Sequence, residues 1–143
     1  PGRVKGQHSE ALIELTDLAQ TLLDAADVPH HPGMQGRSLW PLLCGETEGN
    51  HHRDDVYCEY YNAMPWHQNP TAQTTMTRTE RYKITVDHTT NRGELYDLEA
   101  DPSEIHNLWN DDEALSIKVD MLTRLCHRMA GTVDPLPARR AAW

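Results

Sequence analysis

The sequence predicts an α+β fold, a small antiparallel sheet of about four strands with a C-terminal helix packed on one face. Three observations carry this. Short β-prone runs follow one another through close turns between residues 55 and 98. One long amphipathic run comes after them, and a helix-and-loop segment precedes them. Consecutive strands joined by tight turns pair as antiparallel neighbours, and the helix then covers their apolar face.

In the N-terminal segment, Leu12, Leu15, Ala19, Leu22 and Ala26 recur at helical steps. Asp17 and Gln20 fit a helix start, so Ala11–Leu15 is either the first part of that helix or an extended lead-in. The helix is expected over about residues 16–27, and Val28-Pro29 ends it. Pro32, Gly33 and Gly36 impose a turn, and Ser38 is placed to cap a short helix over 38–43. Residues 45–53 are polar and rich in Gly and His, which makes them a loop. Strands are expected at about 55–61, 73–79, 82–87 and 94–98. Tyr82, Ile84 and Val86 alternate with Lys83, Thr85 and Asp87. The second helix, about 112–130, puts Leu115, Val119, Leu122, Leu125 and Met129 on one stripe. Residues 132–143 read as a tail.

Composition bounds the function. With 13 Lys and Arg against 22 Asp and Glu, the formal charge is −9. That argues against nucleic-acid or anionic-membrane partners, which require a basic face. No apolar run reaches the ~20 residues of a bilayer span. Cys44, Cys58 and Cys126 are odd in number and widely spaced, so they suggest neither a disulfide framework nor a metal knuckle.

The candidates for chemistry fall one by one. "ELYDLEADPSEIHNL" carries five carboxylates, Glu94, Asp97, Glu99, Asp101 and Glu104. A calcium loop starting at Asp97 would need Gly where Pro102 stands and Glu where Leu108 stands. The structural alternative has Tyr96 and Leu98 pointing into the core. Asp101 would then cap a helix with Pro102 in its first turn and Glu104 reaching back. The nine histidines include the adjacent pairs His30-His31 and His51-His52, and neighbouring side chains do not converge on one ion. They read as solvated loop residues. No metal site and no catalytic residue is expected in this chain. The long loop after the first strand holds Trp66 and His67, with Tyr60 and Tyr61 before it. The plain reading is a loop pinned by its Trp. Tyr61, Trp66 and His67 are the candidate contacts should that loop line a cleft.

The order of motifs resembles the sulfatases. "ELTDLAQTLLDAADVPHHPGMQGRSLWPLLCGE" is similar to the stretch those enzymes carry after their catalytic core. Asp17, Leu18, Thr21, Leu22, Leu23, Gly36, Ser38, Leu39, Pro41, Leu42 and Leu43 match it. "DVYCEY", "TRTERYKI" and "ELYDLEADPSEIHNL" then match the sulfatase C-terminal subdomain in order. The sequence departs at Gln20, where the family often has Pro, and at Asp27, where Gly is usual. The resemblance implies a division into residues 1–53, the end of a catalytic-domain region, and 54–131, the C-terminal subdomain. It also implies a calcium ion and a formylglycine made from Cys or Ser in the catalytic core. The signature C-x-P-S-R occurs nowhere here, so neither cofactor is expected within this chain. The chain is expected to be the C-terminal portion of a sulfate-ester hydrolase, inactive alone and self-associating through its exposed leucines. A stand-alone binding module and a related phosphodiesterase or phosphonate hydrolase are the alternatives.

Overall fold

The computed structural model describes residues 6, 8–47, 49–61 and 72–132. Two helices come first, α1 (Asp17–Ala25) and α2 (Trp40–Leu43). Four strands follow, β1 (Val56–Tyr61), β2 (Gln73–Arg78), β3 (Tyr82–Asp87) and β4 (Arg92–Asp97). A 3-10 turn (Asp112–Ala114) then leads into α3 (Leu115–Gly131). The sheet is an antiparallel meander in the order β1-β2-β3-β4.

Register assigns the two faces. Opposite partners share a face, so Tyr57, Thr77, Ile84 and Leu95 form one row across the sheet. That row faces α3. Ile84, Leu95, Ala114, Met121 and Leu125 form the core, with Tyr57, Tyr82, Val86, Trp109, Ile117 and Met129 packed around them. Trp109 lies over Gly93, where an added Cβ would come within 2.3 Å of the ring. Glycine at this position is a packing requirement.

Two predicted stripes are rotated. On β4 the residue pointing into the core is Leu95, fully buried, while Tyr96 faces the opposite side of the sheet. Tyr96 is still 8% exposed, under the Lys83 side chain. On α3, Leu122, Leu125 and Met129 pack on the core as the expected stripe has them, but Ile117 and Met121 take the places expected of Leu115 and Val119, which face outward. Lys118 accounts for part of this. Its Nζ donates to the Trp109 carbonyl at 2.7 Å and lies 3.9 Å from the centre of the Trp109 ring, which fixes that edge of α3 towards Trp109.

The acidic phrase is a clip, and the expected helix after Asp101 is absent. Residues 101–104 form a turn in which Glu104 adopts φ 55° and bonds Lys83 Nζ. Asp101 accepts from the His106 amide at 2.7 Å. Asn107 Oδ1 accepts from the amides of Leu95 and Trp109, and its Nδ2 donates to the Gly93 carbonyl. The Leu108 amide donates to the Leu95 carbonyl at 2.8 Å. This segment therefore satisfies the outer edge of β4, which would otherwise be an open edge. The helix start lies later: Asp111 accepts from the Glu113 amide at 2.9 Å.

Candidate functional site

Tyr61 ends β1, paired with Gln73, and is 45% exposed. It shares a face with Tyr57 and Glu59, as the two-residue period of a strand requires. The Tyr57 hydroxyl donates to Glu59 at 2.7 Å. Burial first, and the Glu59 carboxylate second, push the Tyr57 hydroxyl pKa up. Trp66 and His67 lie outside the described residues.

The carboxylates of the acidic phrase diverge. Asp97 takes a forked bond from Arg81, with Nε at 3.2 Å from both oxygens and Nη2 at 2.8 Å from one. The guanidinium holds the Asp97 carboxyl below the usual range. Glu99 lies 3.3 Å from the same arginine. Glu104 and Asp101 turn to Lys83 and to a backbone amide. Among the described residues no group of three His, Cys, Asp or Glu side chains could hold a metal ion.

The chemistry-bearing cluster lies elsewhere, where α1 meets β1 and α3. Helix α1 carries its polar side inward: Asp17, Gln20 and Thr21 are buried, while Leu18 and Leu22, and Leu15 just before the helix, are exposed. Asp17 is not the N-cap that its position suggests. It is the first helical residue, and its carboxylate turns back to accept from three groups and to lie beside a fourth. Oδ2 accepts from the Glu14 amide at 2.8 Å and lies 3.5 Å from His52 Nε2. Oδ1 accepts from the Arg37 amide at 2.7 Å and from Arg53 Nη2.

Thr21, one turn on, donates to the Asp17 carbonyl and accepts from the Leu39 amide at 2.8 Å. Residues 36–39 therefore run against α1 as a strand would run against a neighbour. Gly36 lets them do so, because an added Cβ would come within 2.1 Å of the Thr16 carbonyl oxygen. Gln20 occupies the same contact, with its Oε1 lacking a partner.

From Asp17 the charges continue to the far end of the chain. Arg53 Nη1 reaches Glu14 at 3.1 Å, Glu14 accepts from the Tyr57 amide at 2.8 Å and from Arg128, and Arg128 lies 3.5 Å from Asp55. His52 is buried within this network, against the expectation of a solvated loop residue. Burial, together with the positive charges of Arg53 and Arg37, drives its pKa down, and Asp17 opposes this. Sequence inspection missed the network because its members stand at 14, 17, 53 and 128. The one available signal was the pairing of Asp17 with Thr21 at a four-residue step. Asp17 has no exposed surface and spends both oxygens on groups of this chain, so the cluster ties α1 to the loop before β1 and, through Glu14, to β1 and α3.

Comparison with known proteins agrees with this geometry. The family described as N-sulphoglucosamine sulphohydrolase, C-terminal, matches residues 1–130. Arylsulfatase K of Gallus gallus is 33% identical over 115 residues, covering 76% of this chain and 21% of the relative. A solved 2-O GAG sulfatase superposes with a TM-score of 0.70 at 31% identity, over 81% of this chain and 24% of that one. The phosphonate monoester hydrolase of Agrobacterium radiobacter does so with 0.67 at 25% identity, over 82% and 25%. This chain thus spans about a fifth to a quarter of the length of these relatives. The family match spans α1, the sheet and α3 alike, and the chain belongs to the C-terminal domain family of the sulfatases.

Proposed function

We propose that this chain completes the fold of a sulfate-ester hydrolase and does not catalyse alone. One observation carries the proposal: α1 is anchored by its polar face, which leaves Leu18 and Leu22 outward at 46% and 70% exposure, with Leu15 just before the helix at 86%. A helix held this way is built to receive an apolar partner. The rest of the parent enzyme's catalytic region is that partner, with residues 1–53 forming its C-terminal end. Leu12 and Leu23 are half-buried, so the outward stripe is narrower than the sequence suggests. The 2-O GAG sulfatase neighbour makes a sulfated sugar the favoured substrate of the parent enzyme. The exposed Tyr61 end of β1, together with Trp66 and His67 further along the sequence, is the part of this chain assigned to one wall of the substrate cleft.

Light scattering tests the apolar face. The isolated chain is expected to self-associate, and the Leu15→Ser/Leu22→Ser variant to be monomeric with an unchanged circular dichroism spectrum. A monomeric wild-type chain at high concentration overturns the proposal. The phosphonate monoester hydrolase neighbour supports a second reading, in which the parent acts on a phosphonate or phosphodiester. Parallel assays of the parent with a sulfate ester and a phosphonate monoester separate the two.

A further inference from the structure

A recess of about 470 Å³ opens between α2 and the loop before β1. Its volume falls within the ~300–1,000 Å³ of small-ligand sites. Pro41 and Leu42 give it an apolar side, and Arg37, Thr47, His51 and His52 give it a polar one. Arg37 sets its electrostatics. Its Nη1 donates to the His52 carbonyl at 2.6 Å, which fixes the guanidinium plane. Among the described residues no carboxylate side chain forms an ion pair with that guanidinium, in a chain of net charge −9. Of the nearby acids, Asp17 is committed to Arg53 and to the Arg37 amide, Asp24 accepts from His30 at 2.7 Å, and Asp54 lies 3.7 Å from His51 at the edge of the recess.

We propose that this recess binds a sugar bearing an oxyanion, a sulfate or a carboxylate, and holds it without reaction. The Arg37 fork matches the planar spread of oxygens on such a group. His51 and Thr47 supply further polar contacts, and the sugar ring lies on Pro41 and Leu42. The proposal rests on the sulfatase reading only for its choice of sulfated ligands. It is distinct from the cleft wall assigned to Tyr61, Trp66 and His67.

The test is an NMR titration of the full 143-residue chain with N-acetylglucosamine 6-sulfate, glucuronate, unsulfated N-acetylglucosamine and inorganic sulfate. The expected result is saturable shifts at the Thr47, His51 and Leu42 amides, with the sulfated sugar binding at least tenfold more tightly than the neutral one. Arg37→Met is expected to weaken binding at least tenfold. Thr47→Val, which leaves the Arg37–His52 bond in place, is expected to weaken it about threefold. Tighter binding of glucuronate than of the sulfated sugar supports the site and assigns it to carboxylates. Equal affinity for inorganic sulfate and the sulfated sugar overturns the sugar contact. Absence of shifts in the recess, or wild-type affinity in both variants, overturns the site. None of these outcomes depends on turnover, so the sulfatase reading stands or falls separately.

Discussion

Replacing Asp17 with Ala removes the acceptor that fastens α1 to the rest of the chain. The Glu14 and Arg37 amides, both half-buried, lose their partner, at about 1 kcal/mol each, the low end of the cost of an unsatisfied donor. Breaking a buried ion pair costs about 3–5 kcal/mol, and Arg53 retains Glu14, so the lower end applies. The sum, taking the low end throughout, is about 5 kcal/mol, comparable with the ~5–15 kcal/mol that holds a whole domain together. The core of Ile84, Leu95, Met121 and Leu125 shares no residue with this joint. The loss is therefore expected to be local. Amide hydrogen exchange is the assay: in Asp17→Ala, residues 17–25 and 36–39 exchange at least a hundredfold faster, while β3 keeps its protection. Exchange in α1 within threefold of wild type would refute the claim that this carboxylate is the fastening.

Other expected outcomes follow from single contacts. Gly93→Ala drives a methyl into the Trp109 ring and is expected to cost about 1–3 kcal/mol in urea unfolding, with altered Trp fluorescence; unchanged stability would show that the ring moves freely. Asp27 closes α1 at φ 56°, with the Val28 amide bonded to the Leu23 carbonyl, a left-handed position that favours glycine. Asp27→Gly is expected to raise stability by about 0.5–1 kcal/mol, and a lower melting temperature would contradict this. The folded-state pKa of His52 lies below its unfolded value of 6.5, so the unfolded chain takes up protons that the folded chain refuses. Stability is expected to fall as pH drops through 6.5 towards the folded value, and His52→Gln to flatten that slope; identical slopes would sink the assignment. Asp87, held by the hydroxyls of Thr89 and Thr90, is expected to titrate near its depressed value of about 2, so stability from these bonds is present above pH 3.8 and lost as pH falls through 2; an NMR midpoint near 4 would contradict it.

Strand periodicity made the sheet legible, because one residue in two is apolar across Tyr82–Asp87 and turn residues punctuate the runs. The strands observed lie within two residues of those expected. Faces were harder to read. Both Leu95 and Tyr96 are buried, on opposite sides of β4, so hydrophobicity alone could not say which one enters the core. On α3 a lysine anchored to Trp109 shifts the buried stripe, and a charge count does not reveal such an anchor. The joint was invisible for a different reason. Pattern reading assumes that the apolar face of a helix is the one it buries, and α1 does the reverse within this chain. Leu18 and Leu22 are exposed, while Asp17 and Thr21 make the internal bonds. The acidic phrase was recognisable as structural, but its mechanism, an asparagine clipping the edge of β4, depends on register that only the fold supplies.

The central claim is that these residues support catalysis carried out elsewhere in a sulfatase. The most direct measurement is sulfate release from an aryl sulfate ester by the purified 143-residue chain, at high protein concentration and with calcium present. The account predicts a rate indistinguishable from buffer, with the β3 amides protected to show that the chain is folded. Sulfate release proportional to folded chain would contradict it.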